Sequence, residues 1–215
     1  MQTGQHNMVI KAEHINKNLL KRFFDILFSI ILFCLVLVWL FPLIAIFIKL
    51  NSKGRIFFIQ DRIGLNGNIF KCYKFRTLPE KDINEEEKFV SSENIPVTGI
   101  GKFLRKLNLD ELPQFINVLK GEMSIAGPRP HAIAYHNKYA EYIEQIDLRL
   151  LVKPGITGLA QIKGYRGDVA DEELNKLKTI KRIELDIQYI EQWSFINDLK
   201  IVMTTFLQMA GIVGK

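Results

Sequence analysis

From Ile26 to Ile48 the chain reads "ILFSIILFCLVLVWLFPLIAIFI", with no charged side chain anywhere in the run. Such a segment has to satisfy its backbone polar groups within itself, so it is a helix that belongs in a bilayer. It is too long for the apolar part of a cleavable leader, and no small-residue cleavage site follows it. Pro42 has no amide hydrogen and crowds the preceding turn, which predicts a break there. The part before the break, Ile26 to Phe41, reaches roughly 24 Å, short of the roughly 30 Å hydrocarbon core. Both flanks are basic: Lys11, Lys17, Lys21 and Arg22 precede the run, and Lys49, Lys53, Arg55, Lys71, Lys74 and Arg76 follow it. Basic flanks stay on the cytoplasmic side, and a single span cannot keep two of them there. The pattern therefore predicts a re-entrant segment over 19–50, helix-break-helix with the break at Pro42. A polar tail over 1–18 precedes it and a domain at the membrane surface, 51–215, follows. Asp25, at the point of entry, is placed to pair with Lys21 or Arg22 at helical spacing.

The formal charge of +6 points to anionic partners: nucleic acid, lipid head groups or phosphorylated small molecules. Nucleic acid fits poorly, because the aromatic residues sit in apolar runs and are not interleaved with the basic ones. Cys34 and Cys72 lack the spacing of a zinc site or a disulfide framework. Beyond the membrane segment the pattern is α+β and mostly helical. "GRIFFIQDRIG" and "GNIFKCYKFRTL" flank the turn signal "LNG" and predict a small β-hairpin. "PEKDINEEEKFVSSENIP" reads as a solvated loop or short helix. Helices are predicted around Gly99–Lys106, after Asp110 and through "YHNKYAEYIEQID". A further helix carries the stripe Leu177, Ile180, Ile183, Ile187 and Ile190. A last apolar helix, capped by Asn197 or Asp198, suits the bilayer surface or the core. His131 and His136 read as helix-surface residues.

The chemistry concentrates in "KLNLDELPQFINVLKGEMSIAGPRP". In "LDELPQF", Asp110 suits an N-cap, with Glu111 in the first turn and Pro113 where its missing amide does no harm. The same placement allows free amides to hold Asp110 ionised as a nucleophile, with Glu111 helping to bind a divalent cation. Arg105 lies nearby in sequence, and Arg129 stands between two prolines in "GPRP", rigid enough for bidentate contact with phosphate. Lys74 follows in "YKFRT", and the glycines of "KPGITGLAQ" permit close backbone approach. Together these describe a phosphate-handling site at a membrane surface.

In this order, "KRFFDI", the run carrying Pro42, "FFIQDRIG", "FKCYKFRTL", the carboxylate stretch, "KPGITGLAQIKG" and "ELDIQYIEQWSFINDLKIVMTT" resemble the bacterial sugar transferases. These are also called monotopic polyprenyl-phosphate phosphoglycosyl transferases. The likeness runs from about Lys21 to the C-terminus and, within the family, looks most like the catalytic domains of undecaprenyl-phosphate glucose phosphotransferases. It implies transfer of a sugar 1-phosphate from a UDP-sugar to undecaprenyl phosphate, with release of UMP, as the first membrane step of a surface glycan pathway. UDP-glucose is the first expectation for the donor and UDP-galactose the second. By the same resemblance Asp110 is the nucleophile and Glu111 the residue that helps hold Mg²⁺. Lys74, Arg105, Arg129 and the adjoining Pro130 fall at the substrate phosphates. The domain would face the cytoplasm at the bacterial inner membrane, in contact with phospholipids. A homo-oligomer through the C-terminal helix is left open. Two departures stand out: Phe41 precedes Pro42 where a serine is common, and Leu159 replaces a frequent tryptophan. Longer members carry more chain ahead of this core, so the sequence reads as a short form or an excised domain. A membrane glycosyltransferase releasing UDP and a non-catalytic scaffold are the rival functions.

Overall fold

A computed structural model describes residues 2–79, 97–167 and 169–214, with side chains from His6 onward. The polar stretch expected as a loop falls almost wholly outside the described residues. Helix α1 (Gln2–Lys17) replaces the expected polar tail. Met8, Ala12 and Ile15 repeat at helical spacing and are buried, docking α1 onto a later helix, α8 (Glu172–Glu191).

After Asn18, whose side chain accepts the Lys21 amide as an N-cap, a helical segment, the rod, runs from Leu19 to Asn51, 33 residues with a contour of roughly 50 Å. It consists of α2 (Leu19–Leu32), a π-helical turn (Phe33–Leu37) and α3 (Val38–Asn51). The break expected at Pro42 is absent: Pro42 lies inside α3. The irregularity comes earlier, where the Val38 amide bonds to the Phe33 carbonyl. Pro42 withholds an amide from the Val38 carbonyl and crowds it. A wide turn ending just before Val38 shifts the ladder, so the helix absorbs the proline without ending.

One face of the rod is buried from end to end, through Lys21, Asp25, Ser29, Leu37, Ile44 and Ile48. The other faces expose large apolar side chains, including Phe23, Ile30, Leu35 and Leu43, and Trp39 points outward at 76% exposure. The pairing expected for Asp25 does not form. Its Oδ1 instead accepts the Ile125 amide at 3.0 Å, while Lys21 Nζ reaches Asp198 Oδ2 at 2.6 Å and Arg22 donates to the carbonyls of Val118 and Leu119. An exposed pair one turn apart contributes only a few tenths of a kcal/mol. Buried polar groups on the facing body need these side chains more.

The hairpin forms as expected. Strands β1 (Phe57–Ile63) and β2 (Ile69–Phe75) pair antiparallel, from Phe57 opposite Phe75 to Ile63 opposite Ile69. Asn66 and Gly67 turn the chain with φ of 54° and 80°. Helix α4 (Gly99–Lys106) is capped by Thr98 and also lies where expected. A 3₁₀ turn (Leu109–Glu111) leads to α5 (Gln114–Lys120), and strand β3 (Ser124–Ala126) pairs in parallel with β4 (Gly155–Thr157). Helix α6 (Ile133–Ala140), a 3₁₀ turn (Ile146–Leu151) and the short α7 (Leu159–Ile162) complete this layer. His131 and His136 are buried here, not on a helix surface, and His136 Nε2 lies 3.0 Å from Asp147. Helix α8 carries the predicted stripe, except that Leu177 faces out. Helix α9 (Phe195–Met209) starts one residue after its cap, Ser194, earlier than expected. Asp198 is therefore free of capping, and accepts from Lys21, Tyr189 and Trp193 in the interior.

Candidate active site

The site is a cleft of about 490 Å³ between the hairpin, α4 and the loops around Glu111, Arg129 and Arg166. Antiparallel register places Phe58 opposite Lys74 and Arg62 opposite Phe70, so Arg62 and Lys74 share a face of the hairpin and both line the cleft. Arg105 comes from the last turn of α4, with its Nε donating to Thr77 Oγ1 at 2.9 Å. Arg129 follows β3, and Arg166 stands in the turn after α7. Asp110 and Glu111 sit in the 3₁₀ turn after Asn108, which takes a left-handed conformation (φ 56°, ψ 19°).

Asp110 is not an N-cap: α5 begins at Gln114 after Pro113, and Asp110 caps nothing. Proline at position 113 starts the helix after the carboxylates, not around them. The two carboxylates are thereby separated in role. Glu111 is a hub: Oε1 receives Lys74 Nζ at 2.8 Å and Arg129 Nη2, while Oε2 receives Arg129 Nη1 at 3.0 Å and Arg166 Nη2 at 2.8 Å. Burial pushes its carboxyl up, but Arg129, Lys74 and Arg166 together hold it well below the usual range. Among the described residues Asp110 makes no side-chain hydrogen bond or ion pair, although only 9% of its surface is exposed. Burial and then the Glu111 charge push its carboxyl up, with the nearby cations only partly offsetting them. A buried carboxylate without a hydrogen-bonding donor keeps its lone pairs for an electrophile.

Arg129 is held by its backbone as much as by its prolines. The Gly127 amide donates to Thr157 O, and Pro128 O accepts from Gly155. Arg149 donates to Arg129 O and Arg62 to Pro130 O. Arg149 is in turn paired with buried Asp186 at 2.7 Å. Pro130 is buried and is not among the residues that line the cleft, and its carbonyl accepts from Arg62. Arg76, from the same motif as Lys74, ties the end of the rod by donating to the carbonyls of Ser52 and Lys53. Leu159, at the frequent tryptophan position, packs against the core.

The cleft thus gathers Asp110, Glu111, Lys74, Arg105 and Arg129, and adds Arg62 and Arg166. Arg166 stands in a turn with Gly164 and Gly167, both at positive φ, and Arg62 lies on the Lys74 face of β1, but neither place in the sequence says that the two meet in one cleft. Glu111 is also the residue expected to help hold Mg²⁺. Glu111 has all its acceptor positions engaged, so as arranged it does not fit a metal ligand.

The family profile described as bacterial sugar transferase matches residues 16–211. The chain belongs to the bacterial sugar transferase family. Among relatives in the family, the UDP-glucose:undecaprenyl-phosphate glucose-1-phosphate transferase of Escherichia coli (strain K12) is 46% identical over 203 residues, covering 92% of this chain and 41% of the relative. The uncharacterized sugar transferase EpsL of Bacillus subtilis (strain 168) is 40% identical, covering 87% and 85%. The UDP-N-acetylgalactosamine-undecaprenyl-phosphate N-acetylgalactosaminephosphotransferase of Aeromonas hydrophila is 36% identical, covering 91% and 48%. The chain thus spans about two fifths of the length of the E. coli family member.

Proposed function

We propose that the chain is a phosphoglycosyl transferase that moves a sugar 1-phosphate from a UDP-sugar to undecaprenyl phosphate. The observation that carries this reading is Asp110: a buried carboxylate with no hydrogen-bonding donor among the described residues, in a cleft lined by six cationic side chains. An Asp110 oxygen attacks the β-phosphorus of the donor, and the bond from that phosphorus to the bridging oxygen breaks, so UMP leaves with the electron pair. A phosphate oxygen of the lipid then attacks the aspartyl phosphosugar, the bond to Asp110 breaks, and the carboxylate is restored. Atoms and charge balance over the two steps without an added proton.

A carboxylate cannot approach a diphosphate unaided. Lys74, Arg105, Arg129 and Arg166 offset the repulsion and stabilise the charge that develops on departing UMP. Donor phosphates compete with Glu111 for Lys74, Arg129 and Arg166, which Glu111 holds beside Asp110 until then. Mg²⁺ belongs to this proposal through the donor phosphates, where it would supply charge neutralisation. UDP-glucose is the first donor proposed, in line with the name of the E. coli relative, and UDP-galactose the second. The exposed apolar faces of the rod suit a monotopic seat in the inner membrane, with the cleft at the cytoplasmic face, at the start of surface glycan synthesis.

The test is nucleotide release by the detergent-held chain with undecaprenyl phosphate, Mg²⁺ and a panel of UDP-sugars. UMP from one donor, abolished in Asp110→Ala, is the expected outcome. Release of UDP would indicate direct glycosyl transfer. No release from any donor, with pathway output intact in Asp110→Asn, would indicate a scaffold.

A further inference from the structure

A second cavity, of about 340 Å³, adjoins the cleft and has the opposite character. Its walls include Phe28 and Leu32 from the rod, Ile156, Ile162 after it, and Val202 and Phe206 from α9. The two cavities meet at Asn108, Glu111 and Arg166, which line both. From this junction we infer that the apolar chamber receives the first isoprene units of the lipid phosphate acceptor, with Arg166 meeting its phosphate. The inference rests on the transferase reading above.

Three observations favour this occupant over a nucleotide or a sugar. The chamber offers few unused polar groups: Thr157 and Thr205 bond each other at 2.6 Å, Gln208 Nε2 donates to Ile162 O and Gln161 Nε2 to Ile156 O. Among the described residues only Gln161 Oε1 is a buried wall atom left without a donor. A sugar ring or a uracil needs several such groups, and a hydrocarbon chain none. The chamber also opens where the protein is most apolar. Phe206 is 48% exposed, beside exposed Met203 and Leu199 on α9, and Leu27 and Ile31 are exposed on α2. A chain lying among bilayer lipids can enter from there. Finally, Arg166 stands between the two cavities, bonded to Asn108 Oδ1 and Glu111 Oε2. Gly164 and Gly167, at φ of 84° and 78°, form its turn, and buried Arg182 holds that turn by donating to the carbonyls of Tyr165 and Gly167. A phosphate with an apolar tail is the ligand whose two ends match the two sides of this arginine. The arrangement also keeps the donor and acceptor on separate approaches to the same carboxylate.

Each buried methylene is worth about a factor of four in affinity, so filling even part of the chamber is measurable. Leu32→Trp and Ile162→Trp narrow it from two different elements. The KM for undecaprenyl phosphate should rise tenfold or more in both, measured on protein whose competent sites are counted from the UMP burst without acceptor. In parallel, a prenyl phosphate ending in a diazirine is photolysed on the unsubstituted chain, where labelling should fall within Leu159–Ile162 or Phe195–Met209. An acceptor KM within twofold of the parent in both variants, or labelling confined to segments that do not line the chamber, overturns the inference. If the parent chain gives no UMP burst with any UDP-sugar, it is the transferase reading that fails.

Discussion

At Asp110 burial and the neighbouring negative charge act in the same direction, whereas at Glu111 three cations overcome burial. In its proposed role as nucleophile Asp110 works as its anion, so the rate is lost as pH falls through a raised value. The acid limb of the UMP burst should therefore lie above the ordinary aspartate value of about 3.9. Glu111→Gln removes a charge that pushes Asp110 up, and it frees Lys74, Arg129 and Arg166 to pull Asp110 down. The limb should move to lower pH even though the rate itself falls. Single-turnover bursts across the acid range check this, and a limb that stays or rises contradicts the account. Asp110, Glu111, Lys74, Arg105 and Arg129 are legible in the sequence because each stands in a long motif with a chemical reason for its residue type. Arg62 and Arg166 are not, because nothing local says that the hairpin face and the turn after α7 converge on one cleft. The opposite charge environments of the two carboxylates are equally out of reach, since they depend on which cations fold back onto Glu111.

Among the elements, the contact between the "GPRP" loop and "KPGITG" sets where Arg129 points. An added Cβ at Gly155 would lie 2.2 Å from the Gly127 amide nitrogen and 2.5 Å from the Thr157 carbonyl oxygen. Both neighbours are backbone, so the loop itself has to move. Gly155→Ala should destabilise the chain by about 1–3 kcal/mol, in the range of overpacked cores. Displacing Arg129 by about 1 Å should also slow transfer by up to roughly 10²-fold. Gly99→Ala is the control: its Cβ meets nothing closer than Asn51 Nδ2 at 3.8 Å, at the start of α4, and both stability and rate should hold or improve. Thermal melts and UMP release separate the two outcomes. The hairpin, α4 and most of α8 are legible from periodicity and turn residues, which act locally. The course of the rod is not. That Pro42 disfavours a helix is a local rule, but whether the helix ends depends on a ladder shift that begins at Phe33. Likewise α1 hides Met8, Ala12 and Ile15 among polar residues, and only the face of α8 that covers them reveals the stripe.

At the scale of the molecule, the rod is fastened to the body at both ends. Near its start Lys21 is buried against Asp198, and at its close Asn51 Oδ1 accepts the Ile100 amide while Arg76 holds the carbonyl of the next residue, Ser52. Between them, Leu37 joins the main core, and Ile44 and Ile48 pack with Phe75 and Leu104. A helix with a contour of roughly 50 Å is long enough to cross a bilayer. Yet to cross it, this one would have to take the body docked along its length into hydrocarbon, at about 2.5–3.5 kcal/mol for each Lys, Arg or Asp near the centre. Detaching the body is also costly, because it leaves buried Asp198 without Lys21, and a buried charge stripped of its partner costs about 3–5 kcal/mol. Lying within one leaflet with its apolar faces outward avoids both costs. The two ends of the rod should then be reached from the same side. In a background with Cys34→Ser and Cys72→Ala, Lys17→Cys and Lys53→Cys should both react with a membrane-impermeant maleimide in inverted inner-membrane vesicles. Neither should react in right-side-out vesicles. The native Cys34, exposed on the rod between them, should stay unlabelled from either side until detergent is added. Labelling of the two introduced cysteines from opposite sides would establish a spanning helix and require the body to come away from one end of it.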